Sequence, residues 1–187
     1  MNKIKYSNNP SVKNSQLWLY ESLIELMKDQ SFEKITISEI TKNADLDRTT
    51  FYRNYDSKLD ILNYGINLIK TKYVNRLKYA NKLNMKYLSR EFFSICLEEI
   101  EFLKLINLHN LTPFLLLQFN QLLPDIHLEV KEKFNFRIED THMVYALYYN
   151  TGGFLNILMK WIEDGCDASI DELVASFLEI CRFNISD

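Results

Sequence analysis

Glycine and proline are scarce in this chain of 187 residues, at four and three. Turn-rich β architectures draw on both residues at their reversals, so the shortage argues for long helices joined by few loops. Long apolar runs are missing as well: no stretch approaches the roughly 20 uninterrupted residues that span a bilayer. The opening MNKIKYSNNP has no apolar signal core, and the expectation is a cytoplasmic protein with no membrane partner. Cys96, Cys166 and Cys181 are odd in number and widely spaced, which suits small apolar side chains in a reducing compartment better than a disulfide framework or redox switch. His109, His127 and His142 show neither i, i+4 pairing nor neighbouring cysteines, so neither a metal site nor a cofactor is expected. There is no Gly-rich phosphate loop and no nucleophile motif. The acids Glu98, Glu99 and Glu101 read as a solvated helix face, and the expectation is that the chain is not an enzyme.

What is present is a composition that builds a substantial core: 47% hydrophobic residues with 25% charged. The net charge of -3 conceals an uneven distribution, with 16 Lys and Arg against 9 Asp and Glu in residues 1–90 (+7) and 6 against 16 thereafter (-10). A basic half suits local phosphate contacts even in an acidic protein. Through Asp60 the charges nearly balance, and the excess comes from Lys70, Lys72, Arg76, Lys78, Lys82, Lys86 and Arg90.

The stretch Thr36 to Lys58 carries the clearest local signals. Thr36 with Glu39 has capping-box spacing and opens a short helix with Ile37, Ile40 and Ala44 on its inner face. Ala44, Asp45 and Leu46 leave room for a turn alone, after which Asp47 caps a second helix through Arg53. Periodicity turns Phe51 and Tyr55 inward with Leu46 and leaves Arg48, Thr49, Tyr52 and Arg53 outside. An arginine can contact guanine bidentately, a threonine methyl can touch a thymine methyl, and the Thr50 and Tyr52 hydroxyls can donate to phosphate. Such a helix works with its first turns in a major groove.

From about Ser15 to Leu62 the sequence resembles the DNA-binding domain of TetR-family transcriptional regulators, in the string FEKITISEI, the turn ADL, the signature TFYRNY and SKLDIL at the start of a fourth helix. It is similar to the subgroup common in low-GC Gram-positive bacteria. The resemblance implies an all-α fold of about nine helices: a three-helix helix-turn-helix domain over 10–70, with the motif itself at 36–55, and a helical regulatory and dimerisation domain over 71–187. It implies phosphate contacts at Thr50, Tyr52 and Lys58, and Thr36, Arg48, Thr49, Arg53 and Asn54 complete the expected DNA-binding set. Two positions depart from the family pattern: Asp47 stands where a serine-type cap is frequent, and Asn54 replaces a more usual histidine.

Elsewhere, residues 1–9 read as a polar arm. Pro10 starts a helix to about Asp29 with Leu19, Leu23 and Leu26 at core spacing. Ser57 with Asp60 opens a fourth helix running to about Lys82, ~35 Å long and able to bridge two domains. Three helices are expected next, at Lys86–Asn107, Thr112–Leu123 and Asp125–Arg137. Their dense apolar stripes fill cores more often than they line ligand pockets, so a filled core is the expectation and no residue is assigned to an effector. A helix from about Glu139 to Asp164 contains Gly152 and Gly153, each costing about 1 kcal/mol against alanine, and a close helix crossing is the expected compensation. Gly165 ends it, and Ser169 with Glu172 caps the last helix. The string YYNTGGFLNILMKWIEDG again resembles that TetR subgroup, in which the last two helices pair between subunits. The resemblance therefore implies a homodimer, with Leu147, Tyr148, Thr151, Gly152, Leu155, Leu158, Leu173, Phe177 and Ile180 at its interface.

The function so implied is a regulator, of repressor type, binding a palindromic stretch of double-stranded DNA. A small-molecule effector would control release; alternatively the C-terminal domain docks a partner protein, in the manner of a coactivator.

Overall fold

The computed structural model describes residues 10–133 and 140–183, and helix follows helix along both segments. The elements are α1 (Pro10–Asp29), α2 (Ile37–Asn43), α3 (Arg48–Asn54), α4 (Lys58–Tyr79), α5 (Met85–Glu98), α6 (Ile100–Leu108), α7 (Thr112–Val130), a 3-10 turn (Lys131–Lys133), α8 (Asp140–Glu163) and α9 (Ile170–Phe183). No strand occurs among the described residues, and the all-α architecture of about nine helices is the one expected. The arm at 1–9, the end of the expected Asp125–Arg137 helix and Glu139 lie outside the described residues. Two compact units divide the chain, 1–68 and 69–187, and the division falls inside α4.

The first unit is a helical knob built on α1. Leu19, Leu23 and Met27, four residues apart, are fully covered and meet Ile40 of α2 and Phe51 of α3 in one core. Met27 takes the inner place expected of Leu26, which is half-buried. Phe32 and Ile35 in the loop before α2 are also buried, as are Ile61, Leu62 and Ile66 at the start of α4. Two buried hydrogen bonds fix the register of the elements. Ser22 donates to the Ile40 carbonyl at 2.8 Å, and the Tyr55 hydroxyl donates to the Gln16 carbonyl at 3.2 Å.

In the second unit α5 packs on α9 and α7 on α8. Val74, Leu77, Leu83, Ile126 and Val130 form one apolar cluster. Phe92, Phe119, Phe154 and Phe177 form a chain of rings, with Phe154 and Phe177 stacked at 4.4 Å between centroids. Two expected boundaries are corrected. Lys86–Asn107 is two helices, broken where Glu99 leaves helical geometry at φ -107°, ψ 23°. Lys72 of α4 pairs with both Glu98 and Glu99 at this break; Glu98 and Glu101 are exposed, as a solvated face requires, and Glu99 is half-buried. Conversely, α7 runs straight through Pro124, where a break was expected. Proline costs an interior helix about 3 kcal/mol, and burial on both sides of it, at Phe119 and at Ile126 and Val130, opposes that cost.

Local chemistry ends the helices as the sequence indicates. Gly165 adopts φ +78° and Cys166 φ +63°, and the Cys166 amide donates to the Trp161 carbonyl at 2.8 Å. Ser169 and Glu172 form a reciprocal cap on α9. The Gly152–Gly153 pair behaves differently from expectation: a Cβ at either position would meet nothing within 4 Å, so no close crossing inside the chain compensates them.

Candidate nucleic-acid interface and cavity

The pair α2–α3 is held by its own side chains. The Thr36 Oγ1 accepts from the Glu39 amide at 3.2 Å, and the Glu39 carboxylate accepts from the Thr36 amide at 2.8 Å. These bonds complete the capping box and hold the Glu39 carboxyl below the usual carboxylate range, the Thr36 hydroxyl contributing most. At the turn, Asp45 takes φ 52° and the Leu46 amide donates to the Thr41 carbonyl at 2.9 Å, reversing the chain within three residues. Asp47 then accepts from the Thr50 amide at 2.6 Å, and that bond lowers its pKa.

Capping so fixed, α3 turns Phe51 fully inward and Tyr55 follows it, while Arg48, Thr49, Tyr52 and Arg53 face solvent. Tyr52 is 46% exposed, its hydroxyl accepting from Arg48 at 3.4 Å. One exposed row therefore carries two cations and two hydroxyls, the inventory that reads groove edges and binds phosphates. Thr50 is half-buried, and its hydroxyl donates to Asp47 at 3.3 Å.

Two residues of the expected DNA-binding set are placed otherwise. Asn54 is buried at 4% exposure and donates to the Thr50 carbonyl at 2.8 Å, so it belongs to the inner face of α3. Lys58, expected as a phosphate clamp, turns its ammonium back on the loop before α2. It donates to the carbonyls of Phe32, Glu33 and Ile35 at 2.5, 3.0 and 2.7 Å and lies 4.6 Å from the Phe32 ring centroid. Burial lowers its pKa against the raising charges of Glu33 and Glu39. An ammonium has three donors, and here three carbonyls take them.

The basic first half also reads differently in three dimensions. Lys70 pairs with Asp125, Lys72 with Glu98 and Glu99, Arg76 with Glu91 and Glu98, Lys78 with Glu129, and Arg90 with Asp171. Most of the cations behind the +7 are thus neutralised within the second unit. Arg48 and Arg53 are the cations that the α3 row itself presents.

The second unit holds what the apolar stripes did not announce, a partly open cavity of about 450 Å³. Leu88, Phe92, Phe119, Ile126, Leu147 and Phe154 are among its apolar lining, with Lys70, Tyr73 and Asn150 among the polar lining. A filled core was the expectation; this volume lies in the range of small-molecule sites. The aromatic residues are large enough to line a wall and to fill a core, and spacing along one helix does not distinguish the two uses.

Of the residues expected at a subunit interface, Thr151, Leu155, Leu158, Leu173 and Phe177 are buried within the chain itself. Leu147 lines the cavity. Tyr148 and Ile180 remain exposed, and Gly152 is partly so. Beside them on α8 stand Val144, Tyr145 and Tyr149, exposed by 51%, 78% and 62%; the two tyrosines lie off the row that Leu147, Tyr148, Thr151 and Leu155 follow. No group of three or more His, Cys, Asp or Glu that could hold a metal occurs among the described residues, and no helix there is long and apolar enough to cross a membrane.

A capped helix pair with an arginine-bearing outer face, followed by a longer helical unit, is the TetR-type all-α architecture. Solved structures share it. The chain superimposes on Lin0861 from Listeria innocua with a TM-score of 0.81 at 18% identity, covering 97% of this chain and 99% of that one. The dihydroxyacetone kinase operon activator DhaS matches with a TM-score of 0.60 at 18% identity, over 91% of this chain and 96% of that one. A TetR transcriptional regulator from Streptococcus agalactiae matches with a TM-score of 0.61 at 18% identity, over 91% and 94%. At this identity the likeness defines the fold. No protein-family model matches the sequence, and no curated protein matches it significantly.

Proposed function

We propose that the chain is a sequence-specific, DNA-binding transcriptional regulator acting as a homodimer on an inverted-repeat operator. The observation that carries this reading is the α3 row: Arg48, Thr49, Tyr52 and Arg53 held outward on a helix whose start and turn are fixed by Thr36, Glu39 and Asp47. Two such helices, related by a two-fold axis, would read successive major grooves ~34 Å apart. The names of the neighbouring folds, a TetR regulator and an operon activator, agree with it.

The dimer face in this reading is the exposed side of α8, with Val144, Tyr145, Tyr148 and Tyr149, extended by Gly152 and by Ile180 of α9. Open space at both glycines supports it, because a second copy of α8 crossing there would supply the close approach that the chain itself lacks. The Arg48 and Arg53 guanidiniums read bases, Thr49 and Tyr52 contact the thymine methyl and phosphate, and Thr36 and Thr50 lie at the edge of that footprint.

Release is controlled by a ligand in the cavity. Ile69, Lys70, Tyr73 and Leu77 of α4 line it, so a ligand that favours one setting of α4 shifts the population of DNA-competent dimers. A regulator of repressor type follows most simply. A second reading has α8 dock a different protein in coactivator fashion; the same exposed tyrosines favour it. Selection of bound fragments from random duplex DNA tests the main reading. An inverted repeat is the expected outcome, and recovery of unrelated sequences alone would contradict it.

A further inference from the structure

The cavity has an apolar body and one under-coordinated cation, and from this pairing we infer the chemistry of its occupant: an apolar molecule bearing a single anionic group, held at Lys70. The inference rests on the reading of the cavity as an effector site and names the effector class. Leu88, Phe92, Phe119, Ile126 and Phe154 offer an occupant nothing but apolar surface. The uncharged polar groups of the lining are already engaged. The Tyr73 hydroxyl donates to the Leu88 carbonyl at 3.2 Å, Asn150 Nδ2 to the Ala146 carbonyl at 2.8 Å, and Thr151 Oγ1 to the Leu147 carbonyl at 2.9 Å. A sugar or nucleoside would arrive with many acceptors and find the Tyr73 and Thr151 hydroxyl donors and one Asn150 N–H spent, although the oxygens of these groups can still accept.

Lys70 is different. Its side chain is 20% exposed, and its ion-pair partner Asp125 stands 3.6 Å away and is itself 65% exposed. A charge-assisted N–H···O bond is nearer 2.7–2.9 Å, so this pair leaves the ammonium able to take a closer acceptor. Lys131 and Glu132 in the lining carry opposite charges, Asp125 faces Lys70 and the Glu129 carboxylate lies near enough to feel it, so an anion on the occupant competes with exposed carboxylates for Lys70. An anion arriving on an apolar body satisfies Lys70, and its neutral counterpart leaves that ammonium as it was. About 450 Å³ accommodates a chain of roughly ten carbons.

The test is calorimetric titration of the full-length protein, without DNA, using decanoate and decanol on the wild type, Lys70→Met and Lys70→Arg. Decanoate should bind at least tenfold more tightly than decanol. Lys70→Met should bring the two within about threefold while leaving decanol unchanged, and Lys70→Arg should restore the preference. Equal binding of the two probes, a preference that survives Lys70→Met, or no binding of either overturns the inference. Should Lys70→Met not fold, the wild-type comparison still decides the charge preference and Lys70→Gln the residue. Because no DNA is present, a failed operator selection leaves this result standing, and a negative titration leaves the DNA reading standing.

Discussion

Lys58 shows what a single side chain does that its position in a motif does not reveal. Its ammonium holds three carbonyls of the loop just ahead of the Thr36 cap, those of Phe32, Glu33 and Ile35, so it orders the entry to α2. Lys58→Met should lower the melting temperature by several degrees, on the order of 2 kcal/mol for hydrogen bonds from a charged donor, while base preference in DNA binding stays the same. A variant that melts normally and binds all sequences weakly would return Lys58 to the phosphates. The caps carry a pH signature. Glu39 and Asp47 have pKa values below their unfolded ones, so their contribution is present above the unfolded carboxylate values and disappears as pH falls through the lower folded ones. Melting temperature followed downward from pH 5 should therefore fall less steeply in Asp47→Asn than in the wild type. Both caps were legible in the sequence, since the acceptor and the amide it serves lie three residues apart. Lys58 was not, because its partners are backbone carbonyls 23 to 26 residues away.

At the scale of elements, α8 has two working faces. Met143, Ala146, Leu147, Asn150 and Phe154 line the cavity, and Val144, Tyr145, Tyr148 and Tyr149 face outward. The sequence indicated the helix and its Gly165 stop correctly, but the residue set chosen for the outer face contained Leu155 and Leu158, which are core. Both faces are rich in apolar residues, so periodicity gave an axis and no direction. Gly152→Ala separates the helix from the interface. Within one chain the added methyl meets open space and raises helix propensity, stabilising the monomer by up to about 1 kcal/mol. Across a two-fold crossing of α8 the same methyl obstructs approach, so sedimentation equilibrium should report dimer dissociation at least tenfold stronger. A variant that is more stable and equally dimeric would move the interface off α8. The continuous α7 makes the complementary point about Pro124: a sequence signal for a break yields where burial on both sides holds the helix.

For the whole molecule, charge asymmetry along the sequence was a poor guide to charge available to DNA. Lys70, Lys72, Arg76, Lys78 and Arg90 find carboxylates in the second unit, at Asp125, Glu129, Glu91, Glu98, Glu99 and Asp171. With Arg48 and Arg53 as the principal cations of each copy, a dimer displaces about four counterions, and log K against log salt should have a slope of about -4. A slope of about -8 or steeper would mean that further cations, such as the exposed Lys34 and Lys42, also reach the phosphates. The central claim, that the outer row of α3 reads base sequence, is tested most directly by competing the selected inverted repeat against a scrambled duplex at one salt concentration. The account predicts a preference of at least about 10³ for the wild type, reduced by 10- to 100-fold in Arg48→Ala with little change in affinity for the scrambled duplex. A wild-type preference near unity, or one that Arg48→Ala leaves intact, would contradict it.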